Sequence, residues 1–298
     1  MSKNPFRGTR ILVVGGAGFV GSNLVRALLR QKPARITVVD NLLSAERANV
    51  PGSPAVQFVR GSITDDRVLR RLKDNLDYVF HLATFHGNQN SMADPLGDHE
   101  NNTLTTLKLF LRLRRFGKLR KVVYASAGCT VARKTYGKAK ATKEDDPVSL
   151  WLDSPYQISK IFGEFYANYF FRQDGLPVVK ARFQNVYGPG EILGAGQWRG
   201  TAASVWRNVT PVFVHKALKG IPLPVEGRGE ATRDFIYVDD IVRGLMLCAL
   251  KGVPGGVYNL ASGKETSILE LAQTITRLTG GRSSIRSLPR RSWDKSGK

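Results

Sequence analysis

The sequence predicts an α/β protein built on a doubly wound parallel sheet, and three features lead to that prediction. Short apolar runs such as residues 11–14 and 78–83 are typical of parallel strands that are buried on both faces. Amphipathic helical patterns lie between these runs, for example at residues 102–115 and 155–172. Strands and helices alternate along most of the chain, and right-handed crossovers then generate a parallel sheet.

The segment between residues 11 and 23 carries the strongest local signal. Gly15, Gly18 and Gly21 follow the first strand at equal intervals, and a helical pattern starts at once. Such glycines make a tight turn, admit a pyrophosphate and let the helix pack against the strand, and the helix N-terminus favours the phosphate charge. The next strand ends in Asp40, whose carboxylate can accept hydrogen bonds from an adenosine ribose and repel a 2′-phosphate. The residues therefore predict a site for NAD.

The remaining pattern divides the chain unequally. Further strands are predicted at residues 36–40, 56–60, 122–126, 177–182 and 257–261. The polar residues 85–98 are predicted to form a loop over the cofactor. We expect an NAD-binding domain at residues 1–189, with its sheet completed by parts of 230–262, and a smaller α/β substrate lobe mainly at 190–298.

The composition is that of an ordinary globular protein. Of the 298 residues, 42% are hydrophobic and 23% charged, which suffices for a large core. The two cysteines, Cys129 and Cys248, make no disulfide framework, and no Cys/His cluster has metal-ligand spacing. No apolar run approaches the roughly 20 residues that span a bilayer, and the N-terminus lacks the apolar core of a secretory signal. A soluble cytoplasmic protein without a metal is expected.

The net charge of +21 is unusual and has several explanations. The basic excess clusters at residues 112–121, 133–143 and 282–298. A field of this sign attracts nucleic acid, an anionic membrane or a doubly charged nucleotide-sugar. The clusters lack the interleaved aromatic residues of a base-stacking surface, and a solvated basic surface explains the charge equally well.

Tyr156 and Lys160 are the candidate catalytic pair. They lie four residues apart in a predicted helix and therefore share one face. An ammonium beside a phenol favours the phenolate, which lowers the pKa of the phenol. Such a tyrosine can take a proton from a sugar hydroxyl while a hydride leaves the same carbon for a nicotinamide.

Several motifs in a fixed order carry a family resemblance. They lie at residues 15–21, 61–65, 81–83, 154–160, 185–189 and 233–240, with the strand-end acid at residue 40. In this order the chain resembles the extended short-chain dehydrogenase/reductases, the family of NAD-dependent nucleotide-sugar epimerases and dehydratases, over roughly residues 9–295. The resemblance implies a Rossmann-type domain with a smaller C-terminal substrate lobe, a nucleotide-sugar substrate and a homodimer formed through a four-helix bundle. Members of this family usually continue with a further helix after the motif at residue 291, so the resemblance also implies a lobe shortened at its C-terminus.

The resemblance also implies residue roles. The cofactor would contact residues from most of the motifs: Gly15, Gly18, Phe19, Val20 and Gly21 at the pyrophosphate, Asp40 and Asn41 at the ribose, Ile63 and Asp65 at the adenine, Leu82, Ala83 and Thr84 at the nicotinamide, and also Asn102, Tyr156 and Lys160. Tyr156 would be the acid/base, and Lys160 would hold the nicotinamide ribose. The substrate would contact Asn185, Arg233 and Arg291, and guanidinium groups suit a diphosphate because they bind it in a bidentate manner.

One turn departs from the family pattern. The family places a Ser or Thr after the strand that ends near residue 126, whereas here Ala127 or Gly128 occupies that position. Either Ser126 or Thr130 could substitute for it. Cys129 lies close to where family members that epimerise next to a ketone carry a catalytic cysteine, but it is also explained as a small apolar turn residue.

The turn also favours one reaction. Family dehydratases and decarboxylases carry acidic residues there, and residues 130–132 contain none. We therefore expect reversible oxidation at the sugar C4 of a UDP-hexose, with rotation of a keto intermediate. The alternatives are a keto-reductase or 3,5-epimerase that uses Cys129, and a non-catalytic NAD-binding protein that binds a polyanion such as RNA. Of the four histidines, only His86 is expected near the site.

Overall fold

A computed structural model describes residues 4–131, 141–191 and 208–289 of the chain. Its largest sheet contains seven parallel strands in the order β10-β6-β5-β4-β1-β2-β3. These strands are β1 (Arg10–Val14), β2 (Arg35–Asp40), β3 (Val56–Arg60), β4 (Tyr78–His81), β5 (Lys121–Ala127), β6 (Val178–Phe183) and β10 (Val257–Leu260). The predicted Rossmann-type sheet is confirmed, and each strand lies within a residue or two of its predicted position. The apolar runs locate these strands because both faces of the sheet are covered.

Helices cover both faces of the large sheet. The α-helices of the described residues are α1 (Phe19–Leu29), α2 (Asp66–Arg71), α3 (Asn88–Ala93), α4 (Pro95–Asp98), α5 (Thr105–Leu113), α6 (Pro155–Asp174), α7 (Val209–Leu218), α8 (Val238–Lys251) and α9 (Ile268–Leu278). One buried cluster lies between the sheet and the pair α1 and α8. A second lies between the opposite face and α2, α5 and α6.

Two smaller sheets belong to the second half of the chain. β7 (Asn185–Tyr187), β9 (Thr232–Tyr237) and β11 (Glu265–Ser267) form one of them, and β8 (Leu223–Glu226) pairs in parallel with β12 (Ile285–Leu288) in the other. α7 and α9 pack on the latter pair around the fully buried Leu223 and Ala272. Residues 257–260 return to the large sheet through β10, while the division at residue 189 stays a prediction. No described helix has both the length and the apolar character needed to cross a membrane.

Residues 85–98 are helical over much of their length, so the loop prediction is wrong there. The polar side chains that indicate a loop act as helix caps instead. Asp94 ends α3 and begins α4, where its carboxylate accepts a hydrogen bond from the Gly97 N–H at 2.8 Å and Pro95 holds the first helical position. A π-helical segment (His99–Leu104) then joins α4 to α5. This region packs against α6 and brings its polar residues to the site.

His81 is a buried histidine at the end of β4. Its ring is 1% exposed, and its Nε2 lies 3.0 Å from the Thr106 hydroxyl. That hydroxyl donates to the Asn102 carbonyl at 2.7 Å, so Nε2 carries the proton of the neutral ring. Nδ1 has no hydrogen-bond partner among the described residues. Burial, with the nearby Lys160 charge, lowers the pKa of His81 from 6.5 to about 3.

We expect this histidine to make folding sensitive to acid. The unfolded chain takes up a proton at His81 below pH 6.5, whereas the folded chain does so only near pH 3, so stability is lost as the pH falls through that interval. The loss approaches 1.4 kcal/mol per pH unit, or roughly 2 kcal/mol at about pH 5. Urea unfolding across this range should give a shallower pH dependence for His81→Gln than for the wild-type protein. Equal slopes for the two proteins would contradict the assignment.

Candidate active site

A cavity of about 400 Å³ opens at the carboxyl ends of the parallel strands. It is lined by the end of β5, by the segments that follow β1, β2, β3, β4 and β6, and by the start of α6. β1 lies between β2 and β4, which is the point where the strand order of the sheet reverses. Ligands of doubly wound sheets bind at this switch point.

The glycine turn after β1 leaves room for a dinucleotide phosphate. Gly15 has φ +81°, and a Cβ there would lie 2.5 Å from the Ala83 nitrogen. Any larger residue would therefore collide with the segment that follows β4 and strain the turn. α1 begins at Phe19 without a side-chain cap and without an acidic residue in its first turn. The N–H groups at this helix end are consequently available to an anion.

Asp40 ends β2 inside the cavity wall, as predicted. It is 9% exposed, and its two carboxylate oxygens accept hydrogen bonds from the N–H groups of Ala17 and Leu42, both at 2.9 Å. Burial raises its pKa, and the two backbone hydrogen bonds oppose that rise. Each oxygen keeps a second lone pair that can accept a hydrogen bond from a ribose hydroxyl. Asp40 thus also fixes the glycine turn, a role that the spacing alone does not indicate.

Most of the predicted cofactor residues line this cavity. They are Gly15, Gly18, Phe19, Val20, Gly21, Asp40, Asn41, Ile63, Leu82, Ala83, Thr84, Tyr156 and Lys160. Asp65 lies outside the cavity wall, where its carboxylate caps α2 at the Arg67 N–H at 2.8 Å and pairs with the Arg67 guanidinium at 3.0 Å. The dinucleotide fits the residues that do line the wall: an open helix end, a glycine turn and an acid at the strand end.

Asn102 acts one layer behind the wall. It is 2% exposed, and its Oδ1 accepts hydrogen bonds from the Thr84 hydroxyl at 3.0 Å and from the Phe85 N–H at 2.7 Å. Its Nδ2 donates to the carboxylate of the buried Asp98 at 2.7 Å. Burial raises the pKa of Asp98. Asn102 therefore orients the segment that would face the nicotinamide. Asp98, which holds Asn102, was not predicted from the sequence.

Tyr156 and Lys160 lie side by side in the first turns of α6. The helix begins here because Ser154 caps it and Pro155 occupies its first position. Lys160 is 4% exposed, its Nζ donates to the Ala125 carbonyl at 3.0 Å, and it lies 5.8 Å from the centre of the Tyr156 ring. Burial lowers the pKa of Lys160 from 10.5 to about 8, and Asp98 opposes this decrease. The Tyr156 ring also contacts the edge of the His86 ring, at 5.8 Å between centres.

Ser126 and Thr130, the two candidates to replace the missing turn hydroxyl, lie beside a buried ion pair. Glu164 and Arg182 pair through 2.8 and 2.7 Å contacts, with side chains 7% and 5% exposed. The Ser126 hydroxyl donates to the Glu164 carboxylate at 2.5 Å. The Thr130 hydroxyl donates to the Ala127 carbonyl at 2.9 Å and does not line the cavity. Both hydroxyls thus have structural partners within the protein.

Cys129 also lies outside the cavity wall. Burial raises the pKa of its thiol from 9.0 to about 11. A thiol with this pKa stays protonated near neutral pH and is a poor base or nucleophile. The geometry therefore offers no support for a catalytic thiolate.

Within the described residues, one of the three predicted substrate residues lines the cavity. Asn185 lines the wall just after β6, and its Nδ2 donates to the Asp234 carbonyl at 3.4 Å. Arg233 is exposed on β9, two residues before the cavity-lining Phe235, so both side chains project from the same face of the strand. Arg291 lies outside the described residues.

Gln184 is a wall residue that sequence reasoning missed. It stands between Phe183 and Asn185 and lines the same cavity as Tyr156. The signal was available, because side chains at the carboxyl ends of parallel strands face the ligand. His86 lies in the wall, as predicted.

Comparison with known proteins establishes the family. The chain belongs to the NAD dependent epimerase/dehydratase family, whose model matches residues 11–261. A putative UDP-glucose 4-epimerase of Methanocaldococcus jannaschii is 30% identical over 91% of this chain and 83% of that protein. A UDP-N-acetyl-alpha-D-glucosaminuronate decarboxylase of Bacillus cytotoxicus is 32% identical over 94% of this chain and 83% of that protein. The Bordetella bronchiseptica enzyme WbmF, solved with NAD+ and UDP, is 60% identical with a TM-score of 0.88, covering 98% of this chain and 84% of that one.

These relatives confirm the predicted class. The protein is an NAD-dependent enzyme of the extended short-chain dehydrogenase/reductase type that acts on nucleotide-sugars. This membership favours the predicted enzyme over a non-catalytic polyanion-binding protein. The relatives include epimerases, dehydratases and a decarboxylase, so family membership alone leaves the reaction open.

Proposed function

We propose that the protein epimerises a UDP-hexose at C4 through a transient 4-keto sugar. The observation that carries the proposal is the combination of Tyr156 and Lys160 in the cavity wall with a turn that lacks an acid. The cavity wall contains two carboxylates within the described residues, and neither follows β5. Asp40 holds the glycine turn, and Glu191 accepts a hydrogen bond from Asn208. Reversible oxidation at C4 needs no additional acid at the turn, whereas 4,6-dehydration does.

In this proposal Tyr156 and Lys160 have different roles. The Tyr156 oxygen takes the proton of the sugar C4 hydroxyl and returns a proton after the sugar has turned over. NAD, when bound, supplies the hydride acceptor and donor for the same carbon. Lys160 uses one N–H to hold the Ala125 carbonyl and keeps others for the ribose hydroxyls. Its charge, largely retained at neutral pH because its pKa is about 8, favours the Tyr156 phenolate.

The substrate nucleotide would remain anchored while the sugar rotates. We assign the diphosphate to Asn185 and Arg233, and Arg291 stays a prediction. The UDP bound to WbmF supports a uridine nucleotide. The putative UDP-glucose 4-epimerase of M. jannaschii supports C4 as the reacting carbon.

The test is direct observation of the product. Purified protein and NAD⁺ are incubated with UDP-glucose, UDP-galactose, UDP-glucuronate and their N-acetyl analogues, and NMR follows the anomeric and C4 protons. We expect new C4-epimer signals from at least one of these sugars. A protein that binds NAD but leaves every sugar unchanged, or that releases a dehydrated or decarboxylated product, would refute the proposal.

We further propose a homodimer formed through α5 and α6. Four large side chains of α6 are exposed by 39 to 53% and recur at helical spacing: Ile158, Phe162, Phe165 and Tyr169. Leu111 on the adjacent α5 is 41% exposed. A monomer would leave this apolar stripe in water, whereas two copies can bury it as a helical bundle.

Phe162→Asp should weaken the dimer by about 30-fold or more, because a central aromatic side chain contributes about 2 kcal/mol or more to an interface. Sedimentation at micromolar concentration should give twice the 32.9 kDa chain mass for wild type and a smaller mass for the variant. Val253→Asp is the control, since Val253 is 64% exposed in the loop between α8 and β10 and is not a member of the stripe. A wild-type protein that sediments as a monomer would rule out the dimer.

A further inference from the structure

Gly128 and Gln184 lie side by side at the ends of neighbouring strands. Ala127 pairs with Phe183 in the parallel register of β5 and β6, and Gly128 and Gln184 are the next residues beyond that pair. A Cβ on Gly128 would overlap the Gln184 amide, at only 2.5 Å from its Cδ. The amide therefore occupies the space at the turn that a larger residue at position 128 would fill.

The Gln184 amide is available to a ligand. Its side chain is half-buried in the cavity wall that also contains Ala127 and Tyr156. Its backbone N–H donates to the Leu260 carbonyl at 3.3 Å, but its side-chain amide forms no hydrogen bond with the described residues. The Ser126 hydroxyl, in contrast, donates to the buried Glu164. Of these polar groups beside the turn, the amide is thus the one without a structural partner in the described chain.

We infer that the Gln184 amide binds the oxygen at the reacting carbon of the sugar, in the place of the missing turn hydroxyl. The inference rests on the proposed function. An amide suits both states of a sugar that is oxidised and reduced again, because Oε1 accepts from a hydroxyl and Nε2 donates to a ketone. It does not ionise, so Gln184 positions the substrate and stabilises charge at this oxygen, while Tyr156 alone transfers the proton.

Gln184→Ala should lower kcat for epimerisation by about 100-fold, since removal of one such donor typically reduces kcat by 100-fold or more. It should also weaken binding of a UDP-sugar relative to UDP, while NAD binding and thermal stability stay at wild-type values. Ala127→Ser in the Gln184→Ala background returns a hydroxyl to the turn and should recover part of kcat. A merely structural role of Gln184 predicts no such recovery.

Gly128→Ala provides a second test, because its methyl group displaces the amide without altering Gln184. It should reproduce the kinetic loss. Gly52→Ala is the matched control, since a Cβ there meets no atom within 4 Å.

The outcomes separate the two proposals. A wild-type protein that produces no C4 epimer refutes the proposed function, and titration of UDP and UDP-sugars still tests Gln184. The inference is overturned if Gln184→Ala leaves kcat unchanged, weakens UDP and UDP-sugar equally, or lowers NAD affinity instead. It is also overturned if the wild-type protein binds no UDP-sugar of the panel more tightly than UDP.

Discussion

Tyr156→Phe should lower kcat for C4 epimerisation by about 1,000-fold, because phenylalanine has no proton to exchange with the sugar hydroxyl and general acid–base catalysis contributes about 100- to 10,000-fold. The ring and its edge contact with His86 are kept in this variant. Lys160 stays bound to the Ala125 carbonyl, so the affinity for NAD should change little. The initial rate of epimer formation, followed by NMR, measures the effect.

Tyr169→Phe is the matched control. It makes the same substitution on the same helix, at a side chain that is 53% exposed and lies in the stripe rather than in the cavity wall. Its kcat should stay close to that of wild type. If Tyr156→Phe retains wild-type kcat as well, another group must carry the proton, and the cavity-lining His86 would be examined next.

Glu164→Ala should lower the free energy of unfolding by about 3–5 kcal/mol, since it leaves a buried cation without its partner. The Arg182 side chain is 5% exposed and donates twice to this carboxylate. The Ser126 hydroxyl loses its acceptor in the same variant. Urea unfolding monitored by fluorescence or circular dichroism gives the change directly.

An exposed ion pair provides the control for this prediction. Arg228 and Glu230 approach to 3.9 Å with side chains 87% and 67% exposed. Glu230→Ala should therefore change the free energy of unfolding by less than about 0.5 kcal/mol. A similar small change for Glu164→Ala would mean that water or a neighbouring group compensates Arg182, and the ion pair would not be a major determinant of stability.

Apolar patterning predicts the large sheet well, and it fails where polar side chains have local partners. β1, β4 and β5 are buried on both faces, so their residues are apolar whatever the details of packing. The segment at residues 85–98 is polar for a different reason, since residues such as Asp94 cap short helices. Composition alone cannot distinguish a capped helical segment from a loop.

The same limit applies to the site. Tyr156 and Lys160 could be located from the sequence because a four-residue spacing on one helix fixes their common face. The direction of the Ser126 hydroxyl could not, because it depends on Glu164, a residue of α6, and on Arg182, a residue of β6. Asp65 is a second example. Its motif predicts contact with the adenine of the cofactor, whereas in the structure its carboxylate caps α2. Spacing along the chain does not show which partner a side chain takes, whether that partner lies 38 residues away, as for Ser126, or two residues away, as for Asp65.

The return of residues 257–260 to the large sheet has a consequence for how the chain folds during synthesis. β6 is complete once residue 183 has left the ribosome, but its outer neighbour β10 pairs with it only after about 70 further residues have emerged, at a typical 5–20 residues per second. Until then the nascent protein presents an open strand edge, the kind of surface that recruits other chains. Closure of this edge requires contacts that are distant in sequence, so its entropy cost makes it a slow step in folding. A nascent chain arrested before residue 257 should thus be prone to aggregation and dependent on chaperones, although it already contains the glycine turn and the Tyr156–Lys160 pair.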